Sequence, residues 1–225
     1  MDLKSTLEAY SESYGLIINI DYRRMSFIIF DFSTENKSLE NIDVSNTEEF
    51  NKYIKKKLSN ENAVFGIGKY NENRLIYNNN SLFGRKRSIH LGIDLWVTAG
   101  TEVLCPIDGT VHSYKNNKGN GDYGPTVILE HEIEGIRFYT LYGHLSLESL
   151  NDMEVGKKLS LGDRIGWVGD FPVNGNWPPH LHFQIIKDML GHEGDFPGVC
   201  SIEDRELYLD LCPDPNLILQ IEGLE

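Results

Sequence analysis

From about Ser88 onward, short apolar segments alternate with glycine and proline at intervals of a few residues. Segments of this length suit β-strands, and frequent turn residues between them are typical of sandwiches and partly closed barrels. The stretch Val155 to Gly169 repeats glycine where tight turns or bulges would bend a sheet. The pattern therefore predicts a mainly β fold, either an antiparallel β-sandwich or a partly closed barrel.

A β-hairpin is predicted within this region. Pro125 to His131 and Arg137 to Tyr142 have the composition of strands, and Ile133-Glu134-Gly135-Ile136 supplies the turn between them. Such a hairpin would place His144 just beyond the end of its second strand.

Residues 1–80 differ from the rest and predict a small N-terminal α+β lobe. Leu16 to Ile20 and Ser26 to Phe30 are short apolar runs that suit strands. Thr47 to Leu58 begins with a capping residue and two acids and ends in lysines, an order that favours a helix because the charges complement the helix dipole. No residue of this lobe is a candidate for chemistry.

An asparagine-rich stretch, Asn71 to Ser81, predicts a loop that joins this lobe to the β-rich region. The expected division is a lobe at residues 1–80 and a larger domain at residues 81–225. The basic cluster Arg85-Lys86-Arg87 lies near the start of that domain. A solvated loop is the ordinary interpretation of such a cluster, and contact with a substrate carboxylate is the alternative.

The composition argues against several classes of function. The chain has 225 residues, 40% of them hydrophobic, and no apolar run approaches the roughly 18 residues that a membrane helix needs. Its formal net charge of -13 argues against nucleic acid or an anionic membrane surface as a partner, because phosphate binding needs clustered cations.

The expected location is the cytoplasm. Met1 to Glu8 mixes acids into the place where a secretory signal has a basic and then an apolar part. Cys105, Cys200 and Cys212 cannot all pair within one chain and show no C-x-x-C spacing. We therefore expect reduced and mostly buried thiols.

Five polar groups of metal-binding type fall into three short islands of sequence: His90 and Asp94, then His144, then His180 and His182. Residues two or four apart on a strand share a face, so the first two can lie side by side, and so can the last two. The residues that alternate with them are apolar and would point into the core: Leu91, Ile93, Leu95, Leu181 and Phe183. The islands predict a half-buried sheet that presents polar groups to a cleft.

Two imidazoles and one carboxylate can bind a divalent cation and leave a fourth position for water, the arrangement of a catalytic zinc site. Neutral histidines beside such a site could accept a proton during attack on an amide. A histidine pair two apart is more often a surface or core pair, and H-x-x-x-D alone is a weak motif, but three islands together are a stronger signal. His112, His131 and His192 have no partner at ligand spacing and are interpreted as structural or surface residues.

The three islands resemble the site motifs of the lysostaphin- and LytM-type zinc metallopeptidases: His90-x-Gly92-x-Asp94, Gly143-His144 and His180-x-His182. These enzymes are glycyl-glycine endopeptidases that cut peptidoglycan cross-bridges. The resemblance covers roughly Ser88 to Ile186 and implies a β-rich fold of the duplicated-hybrid-motif type. It also implies which residues act, with zinc on three of them and catalytic roles for two: His90, Asp94 and His182, then His144 and His180.

A closer likeness is to the peptidase-like segment that lies between a kinase-like domain and an aminotransferase domain in certain large fusion proteins. It rests on six stretches: His90 to Leu95, Asp122 to Pro125, Phe138 to Ser146, Trp177 to Gln184, Gly194 to Val199 and Cys212 to Asn216. This likeness would also cover much of the N-terminal lobe. It implies a stand-alone version of that module and leaves the substrate open.

The sequence thus predicts a zinc metalloendopeptidase-type hydrolase that cleaves a peptide or small amide bond with zinc-activated water. One of His144 and His180 would act as base, and the other would stabilise the oxyanion or assist the leaving nitrogen. Tyr123 and Trp177 lie on glycine- or proline-rich loops near the proposed ligands and could line a substrate groove. Packing is the alternative role for both.

Three other functions are open at this point. A phosphoryl carrier of the sugar-uptake type would share the Pro106-Ile107-Asp108-Gly109 turn and a facing histidine pair, but it would not require Asp94 or further histidines. An iron-dependent oxygenase would use two histidines and a carboxylate, but that family spaces its first pair as H-x-D. The third is a catalytically silent binding module that retains its zinc. The presence of all five site residues argues against a degenerate module of this kind, and an assay on peptide libraries before and after mutation of His144 separates it from the enzyme.

Overall fold

The computed structural model describes residues 2–39, 41–77 and 87–224. Within these ranges the chain forms twelve strands: β1 (Phe27–Phe30), β2 (Phe65–Gly68), β3 (Arg87–His90), β4 (Ile93–Trp96), β5 (Glu102–Leu104), β6 (Gly109–Asn117), β7 (Gly124–Ile133), β8 (Ile136–Gly143), β9 (Lys158–Leu159), β10 (Arg164–Trp167), β11 (Leu181–Ile186) and β12 (Val199–Ser201). The same ranges form four α-helices: α1 (Leu3–Ala9), α2 (Thr47–Asn60), α3 (Arg205–Leu211) and α4 (Asn216–Leu219). Short 3-10 turns occur at Ser11–Ser13, Lys37–Leu39, Leu75–Tyr77 and Leu147–Leu150.

Eight of the strands form one large mixed sheet in the order β1-β2-β4-β11-β8-β7-β6-β9. In the described part of this sheet β1 and β2 pair in parallel, and all other neighbours pair antiparallel. Two smaller antiparallel sheets, β5 with β10 and β3 with β12, accompany it. The predicted mainly β fold is confirmed, as a large sheet with a small N-terminal helical part.

Apolar side chains cover both faces of the large sheet. Along β7, Val127 and Leu129 belong to one buried cluster, which also contains Val103 of β5. Ile128 lies between them and belongs to a second cluster, with Ile89 of β3. Because side chains alternate along a strand, each face packs against one of the smaller sheets. All six residues of β11 are buried, including His182 and Gln184, as expected for a strand that is covered on both faces.

The predicted hairpin is formed by β7 and β8. Ile133 pairs with Ile136 across a two-residue loop, in which Glu134 (φ 51°) and Gly135 (φ 76°) both adopt left-handed backbone. A type I′ turn requires two such residues, and it matches the right-handed twist of the paired strands. Because β8 ends one residue earlier, the hairpin delivers His144 to the first position beyond the strand.

The N-terminal strands continue the large sheet. Strand β2 pairs antiparallel with β4, and β1 lies outside it in parallel. The strand predicted at Ser26 to Phe30 is confirmed by β1, whereas the one predicted at Leu16 to Ile20 is wrong. That segment packs its apolar side chains onto the core and makes a single β-bridge, between Ile18 and Val103. The boundary between residues 80 and 81 lies outside the described residues, so the division into two domains stays a prediction.

Helix α2 confirms the helix predicted at Thr47 to Leu58. Its cap is Asn46 and not Thr47, because the Asn46 side chain accepts hydrogen bonds from the backbone N–H groups of Glu48 and Glu49. The helix therefore begins with satisfied donors and with two acids in its positive first turn.

Two further predictions fall wholly or partly on residues that are not described. Arg85 and Lys86 of the basic cluster lie outside the described residues, and Arg87 is the exposed first residue of β3. Positions 78–81 of the predicted loop also lie outside them. Residues 71–77, in contrast, include a 3-10 turn with buried side chains.

No helix in the described ranges is long and apolar enough to cross a membrane. Cys105, Cys200 and Cys212 are buried and free, as predicted. Burial raises the pKa of the Cys105 and Cys212 thiols to about 12. These thiols are therefore protonated at neutral pH and pack as small apolar groups.

A histidine outside the predicted site is also buried. His131 lies on β7 and is 2% exposed. Its Nδ1–H donates to the backbone oxygen of Asp108 at 2.9 Å, and its Nε2 hydrogen-bonds with the Thr140 hydroxyl at 2.7 Å. Burial lowers the pKa of His131 to about 4. The ring is therefore neutral in the folded protein at pH 7, whereas a histidine in an unfolded chain titrates near 6.5.

We predict that His131→Gln weakens the pH dependence of stability. At low pH the unfolded parent binds a proton on His131 that the folded protein excludes. The contribution of the neutral His131 ring to the free energy of unfolding is therefore complete above about pH 6.5, and it is lost as the pH falls toward about 4. Between pH 7 and pH 5 the parent should lose about 2 kcal/mol of unfolding free energy more than the variant does, by urea titration. The exposed His192→Gln is the matched control. Equal losses in the parent and His131→Gln would contradict the prediction.

Candidate metal centre

Two of the proposed ligands lie side by side in the middle of the large sheet. Asp94 on β4 pairs directly with His182 on β11. The outer neighbours in the same row are both glycines, since Gly68 of β2 pairs with Asp94 and Gly143 of β8 pairs with His182. A Cβ at either glycine would lie 2.6 Å from a neighbouring side chain. The glycines therefore make room for side chains that cross this face of the sheet.

His90 reaches the same place from a different sheet. It ends β3, which pairs with β12, and the chain leaves that strand before β4 begins. The expectation that one strand carries both His90 and Asp94 is wrong, because the chain changes sheets between them. A Cβ at Gly92 would lie 2.5 Å from Cε1 of His182. The space beside Gly92 is thus filled by the His182 imidazole.

Three ligand atoms converge on one point. His90 Nε2 lies 3.0 Å from His182 Nδ1 and 3.2 Å from Asp94 Oδ1, and the latter two atoms are 3.1 Å apart. Tetrahedral zinc with bonds of about 2.0–2.1 Å needs ligand atoms about 3.3 Å apart. The three atoms fit one zinc ion with small adjustments, and the three residues are at most 3% exposed.

Hydrogen bonds set which nitrogen of each ligand histidine is available. His90 Nδ1–H donates to the Lys69 carbonyl at 2.8 Å, and His182 Nε2–H donates to Gln184 Oε1 at 3.0 Å. The Gln184 amide is itself oriented, because its Nε2 donates to the Pro197 carbonyl at 3.1 Å. Burial lowers the pKa of His90 to about 3. The free nitrogens, His90 Nε2 and His182 Nδ1, therefore face the shared point with lone pairs.

Asp94 uses its two oxygens differently. Oδ1 faces the ligand histidines, while Oδ2 accepts a hydrogen bond from Arg74 Nη1 at 2.5 Å. Burial alone would raise the pKa of this carboxyl, but the neighbouring His90 and the Arg74 guanidinium hold it well below its usual range. Asp94 is therefore an anion at neutral pH and can bind a cation.

The expectation that residues 1–80 hold no candidate chemistry is wrong. Arg74 is fully buried, and it donates from Nε to Glu72 Oε2 at 2.9 Å and from Nη1 to the Tyr77 hydroxyl at 2.9 Å. The only sequence feature that points to this ion pair is an acidic and a basic residue two positions apart, Glu72-x-Arg74. Such pairs are common on solvated surfaces, so nothing in the sequence separates this one from them.

His144 and His180 flank the three ligand atoms. Their Nδ1–H groups donate to the carbonyls of Asn174 at 2.8 Å and Pro178 at 2.7 Å, respectively. The two ring centroids are 4.3 Å apart, and His180 Nε2 lies 3.9 Å from Asp94 Oδ1. Burial lowers the pKa of His180 to about 4, and burial together with the neighbouring imidazoles lowers that of His144 well below its usual range. Both rings are therefore neutral and can accept a proton at Nε2.

The backbone holds His144 in an uncommon conformation. Its φ of 61° lies in the left-handed region, which non-glycine residues rarely adopt. Two backbone hydrogen bonds hold His144 in this conformation. Its N–H donates to the Tyr123 carbonyl at 2.9 Å, and its carbonyl accepts from the Gly169 N–H at 2.8 Å. Strained residues of this kind concentrate at functional sites, and here the strain turns the imidazole toward the other histidines.

A small pocket of about 60 Å³ opens over this group, with room for roughly two water molecules. Both predicted substrate-lining residues, Tyr123 and Trp177, line it. The Tyr123 hydroxyl lies 3.5 Å from His182 Nε2, and the Trp177 ring meets His144 edge-on at 6.4 Å between centroids. Their role in binding stays a prediction.

Trp96 also lines the pocket, and sequence reasoning did not identify it. Its ring stacks on His180 with centroids 4.1 Å apart and an angle of 20°. Phe30, Phe32 and Phe50 surround Trp96 edge-on. The N-terminal region thus supports one of the proposed catalytic imidazoles through this aromatic packing.

The remaining histidines lie outside the group that can hold a metal ion. His131 is hydrogen-bonded within the sheet, His112 hydrogen-bonds Ser113 at 2.8 Å, and His192 packs edge-on against Phe196. Their interpretation as structural or surface residues agrees with these contacts.

Comparison with known proteins shows which family the region around this site resembles. Residues 88–193 match Peptidase family M23. The chain is 35% identical over 96 residues to an uncharacterized metalloprotease of Haemophilus influenzae, a match that covers 43% of this chain and 18% of that protein. It is 28% identical over 117 residues to an uncharacterized metalloprotease of Buchnera aphidicola, covering 52% of this chain and 27% of that protein. The catalytic domain of the antimicrobial peptidase lysostaphin from Staphylococcus simulans matches 54% of this chain and 80% of its own at 24% identity, with a TM-score of 0.38.

Residues 88–193 are therefore similar to Peptidase family M23, and the predicted lysostaphin- and LytM-type resemblance is confirmed at the level of that family. All five residues of the three islands lie within this segment. The chain spans less than a third of either curated relative. The family match and the buried His–Asp–His group together identify zinc as the cofactor.

We predict about one zinc ion per chain in the purified protein and little in His182→Ala, because loss of one of three protein ligands leaves an inadequate site. Elemental analysis after dialysis measures this directly. His192→Gln, a histidine substitution on the surface, should keep the parent's zinc content. Near-equal zinc in the parent and His182→Ala would rule out the proposed coordination.

We also predict that Gly92→Ala weakens zinc binding although it removes no ligand. The added Cβ would lie 2.5 Å from Cε1 and 2.6 Å from Nε2 of His182, so the imidazole must move. Displacing a ligand in this way should cost about 10-fold or more in zinc affinity, measured by chelator competition. Gly135→Ala is the control, because its Cβ meets open space and only the turn is strained. Parent-like affinity in Gly92→Ala would contradict the described packing.

Proposed function

We propose that this M23 domain is a zinc-dependent metalloendopeptidase that hydrolyses a peptide or small amide bond. The observation that carries the proposal is the convergence of His90, Asp94 and His182 beside two neutral imidazoles in one buried pocket. A metal with three protein ligands and an open position is the arrangement of catalytic zinc. A peptide is the substrate class that the family implies.

The two remaining imidazoles supply proton transfer. His144 and His180 each present an unprotonated Nε2, because their Nδ1–H groups are committed to backbone carbonyls. One ring takes a proton from the attacking water and can return it to the leaving nitrogen. The other ring stabilises the charge that develops on the carbonyl oxygen.

Zinc bound by His90, Asp94 and His182 would act as a Lewis acid on the substrate carbonyl and make solvent nucleophilic at neutral pH. The buried ligand residues keep bulk water away from this point. A low local dielectric strengthens each electrostatic contact with the reacting group.

The lining of the pocket indicates where the substrate would lie. Two of the three ligand residues line it, together with His144, His180, Tyr123 and Trp177. Residues on either side of the cleaved bond would then contact the two aromatic rings, those of Tyr123 and Trp177. Aromatic rings of this kind bind peptide backbone and small side chains by burying apolar surface and by edge-to-face contacts.

The rival functions fit the site less well. A phosphoryl carrier must present its histidine to a partner protein, whereas His144 and His180 are only 6% and 4% exposed. An iron-dependent oxygenase also uses two histidines and a carboxylate, but its H-x-D spacing differs from that of His90 and Asp94. A zinc-retaining binding module would have the same geometry, so it is separated by assay.

We infer further that the domain is a version of the peptidase-like segment of kinase/aminotransferase fusion proteins. Five of the six stretches that carry this finer likeness contribute ligands or pocket-lining residues to the site, and the two nearest the C-terminal end of the site show how. Trp177 to Gln184 includes two site histidines, and Gly194 to Val199 supplies the carbonyl that orients Gln184. The family match itself reaches only to family M23. A cytoplasmic location and the lack of nucleic-acid and membrane partners stay predictions from composition.

We predict that His144→Gln and His180→Gln each lower kcat/KM on a cleaved peptide by about 10²–10⁴-fold, the usual contribution of a positioned acid or base. Both variants should keep zinc content close to that of the parent, because neither residue is a proposed ligand. Cleavage of a peptide library followed by mass spectrometry identifies the substrate, and elemental analysis measures the zinc.

His112→Gln is the matched control for this experiment, since His112 contacts Ser113 and Tyr139 away from the pocket. A zinc-loaded parent that cleaves no library peptide would identify a binding module. Formation of phosphohistidine in a metal-free parent would favour the phosphoryl carrier.

A further inference from the structure

A buried ion pair lies directly behind the metal centre, in residues that precede the family M23 segment. Arg74 is fully buried and Glu72 is 6% exposed. Their contact joins Arg74 Nε to Glu72 Oε2 at 2.9 Å, and the other Glu72 oxygen accepts a hydrogen bond from the backbone N–H of Phe32 at 3.1 Å. Burial of such a pair need not stabilise a fold on balance, because desolvation offsets the attraction. Its place beside the ligands therefore points to a role in the site.

Arg74 contacts one metal ligand directly, and it also contacts the carbonyl group that orients a second ligand. Nη1 donates to Asp94 Oδ2 at 2.5 Å, which leaves Asp94 Oδ1 facing His90 and His182. Nη2 donates to the Lys69 carbonyl at 3.1 Å, and the same carbonyl accepts the Nδ1–H of His90 at 2.8 Å. One guanidinium thus orients a carboxylate and holds the acceptor that orients an imidazole.

The surroundings leave the guanidinium little freedom. The Tyr77 hydroxyl accepts a hydrogen bond from Nη1 at 2.9 Å, and the Phe32 ring centroid lies 5.5 Å from the guanidinium carbon. A Cβ at Gly68 would lie 2.6 Å from Nη2, so the glycine of β2 creates the space that the group occupies. The planar fork of Arg74 is therefore fixed before any ion binds.

We propose that Arg74 is a positioning residue of the metal centre, which fixes Asp94 as a ligand through Oδ1 alone and holds the Lys69 carbonyl that orients His90. This inference rests on the proposed zinc function. Glu72 has the complementary role, because its negative charge offsets a guanidinium that would otherwise repel the cation. Coordination through one oxygen keeps a position on the ion open for substrate and solvent.

The proposal makes the N-terminal region part of the metal centre. Lys69, Glu72 and Arg74 all precede residue 88, where the family match begins. They are joined to the site by β2, which pairs with the strand of Asp94. The test therefore uses the full chain.

The experiment measures the zinc dissociation constant by competition with a fluorescent chelator. The double variant Glu72→Gln with Arg74→Gln removes both charges, so the net charge near the ion is unchanged and the fork is lost. We expect zinc binding about 10–100-fold weaker than in the parent, as for other groups that orient a metal ligand. Arg74→Lys preserves the buried charge pair and thereby the fold, but a lysine cannot make the forked contacts. It should bind zinc about 10-fold more weakly.

Ile54→Ala is the control for a purely structural effect, because Ile54 is buried in the N-terminal aromatic cluster and contacts no ligand. It should lower the melting temperature of the metal-free protein and leave zinc affinity unchanged. Parent-like zinc affinity in both Arg74 variants would overturn the positioning role and leave the proposed function intact. A parent that binds zinc and cleaves no peptide would overturn the proposed function alone, and a parent that binds no zinc would overturn both.

Discussion

The buried carboxylate of Asp94 is the interaction on which the rest of the site depends. An anion in the middle of a sheet is costly unless opposite charge and hydrogen bonds surround it. Here Arg74 engages one oxygen, and the other oxygen faces two imidazole lone pairs. That second oxygen gains a partner of opposite charge when a cation binds between the three ligand atoms. The same carboxylate therefore links the N-terminal region, the central strands and the metal.

The strand register explains how this arrangement is built. Gly68, Asp94, His182 and Gly143 form one row across four adjacent strands. The two central residues supply ligands, and the two glycines leave space above the sheet on either side. A shift of one residue in any strand would turn its member of the row to the opposite face. The fold thus specifies the metal centre through pairing as much as through side-chain chemistry.

Much of the site could be predicted from sequence because ligand chemistry restricts the residue types. His90, Asp94 and His182 stand out for that reason, and the turn at Glu134-Gly135 fixes the hairpin that presents His144. Periodicity does not reveal where one sheet ends and another begins, so the change of sheets between His90 and Asp94 was missed. Arg74 was missed because a charged residue in a polar stretch resembles a solvated one. Its burial depends on Gly68, and no local pattern connects the two.

The proton positions of the four site histidines follow from the same backbone. Each ring commits one N–H to a fixed oxygen: the carbonyls of Lys69, Asn174 and Pro178, and the side-chain oxygen of Gln184. These contacts leave the second nitrogen of each ring facing the site, and they hold the rings without the metal. Ring nitrogens that already point toward the site need not reorient when an ion or a substrate binds. Polar groups in a buried site are most effective when they are preorganised in this way. In this chain backbone and amide oxygens meet that condition, so the geometry of the site depends on the segments that carry these oxygens as well as on the histidines.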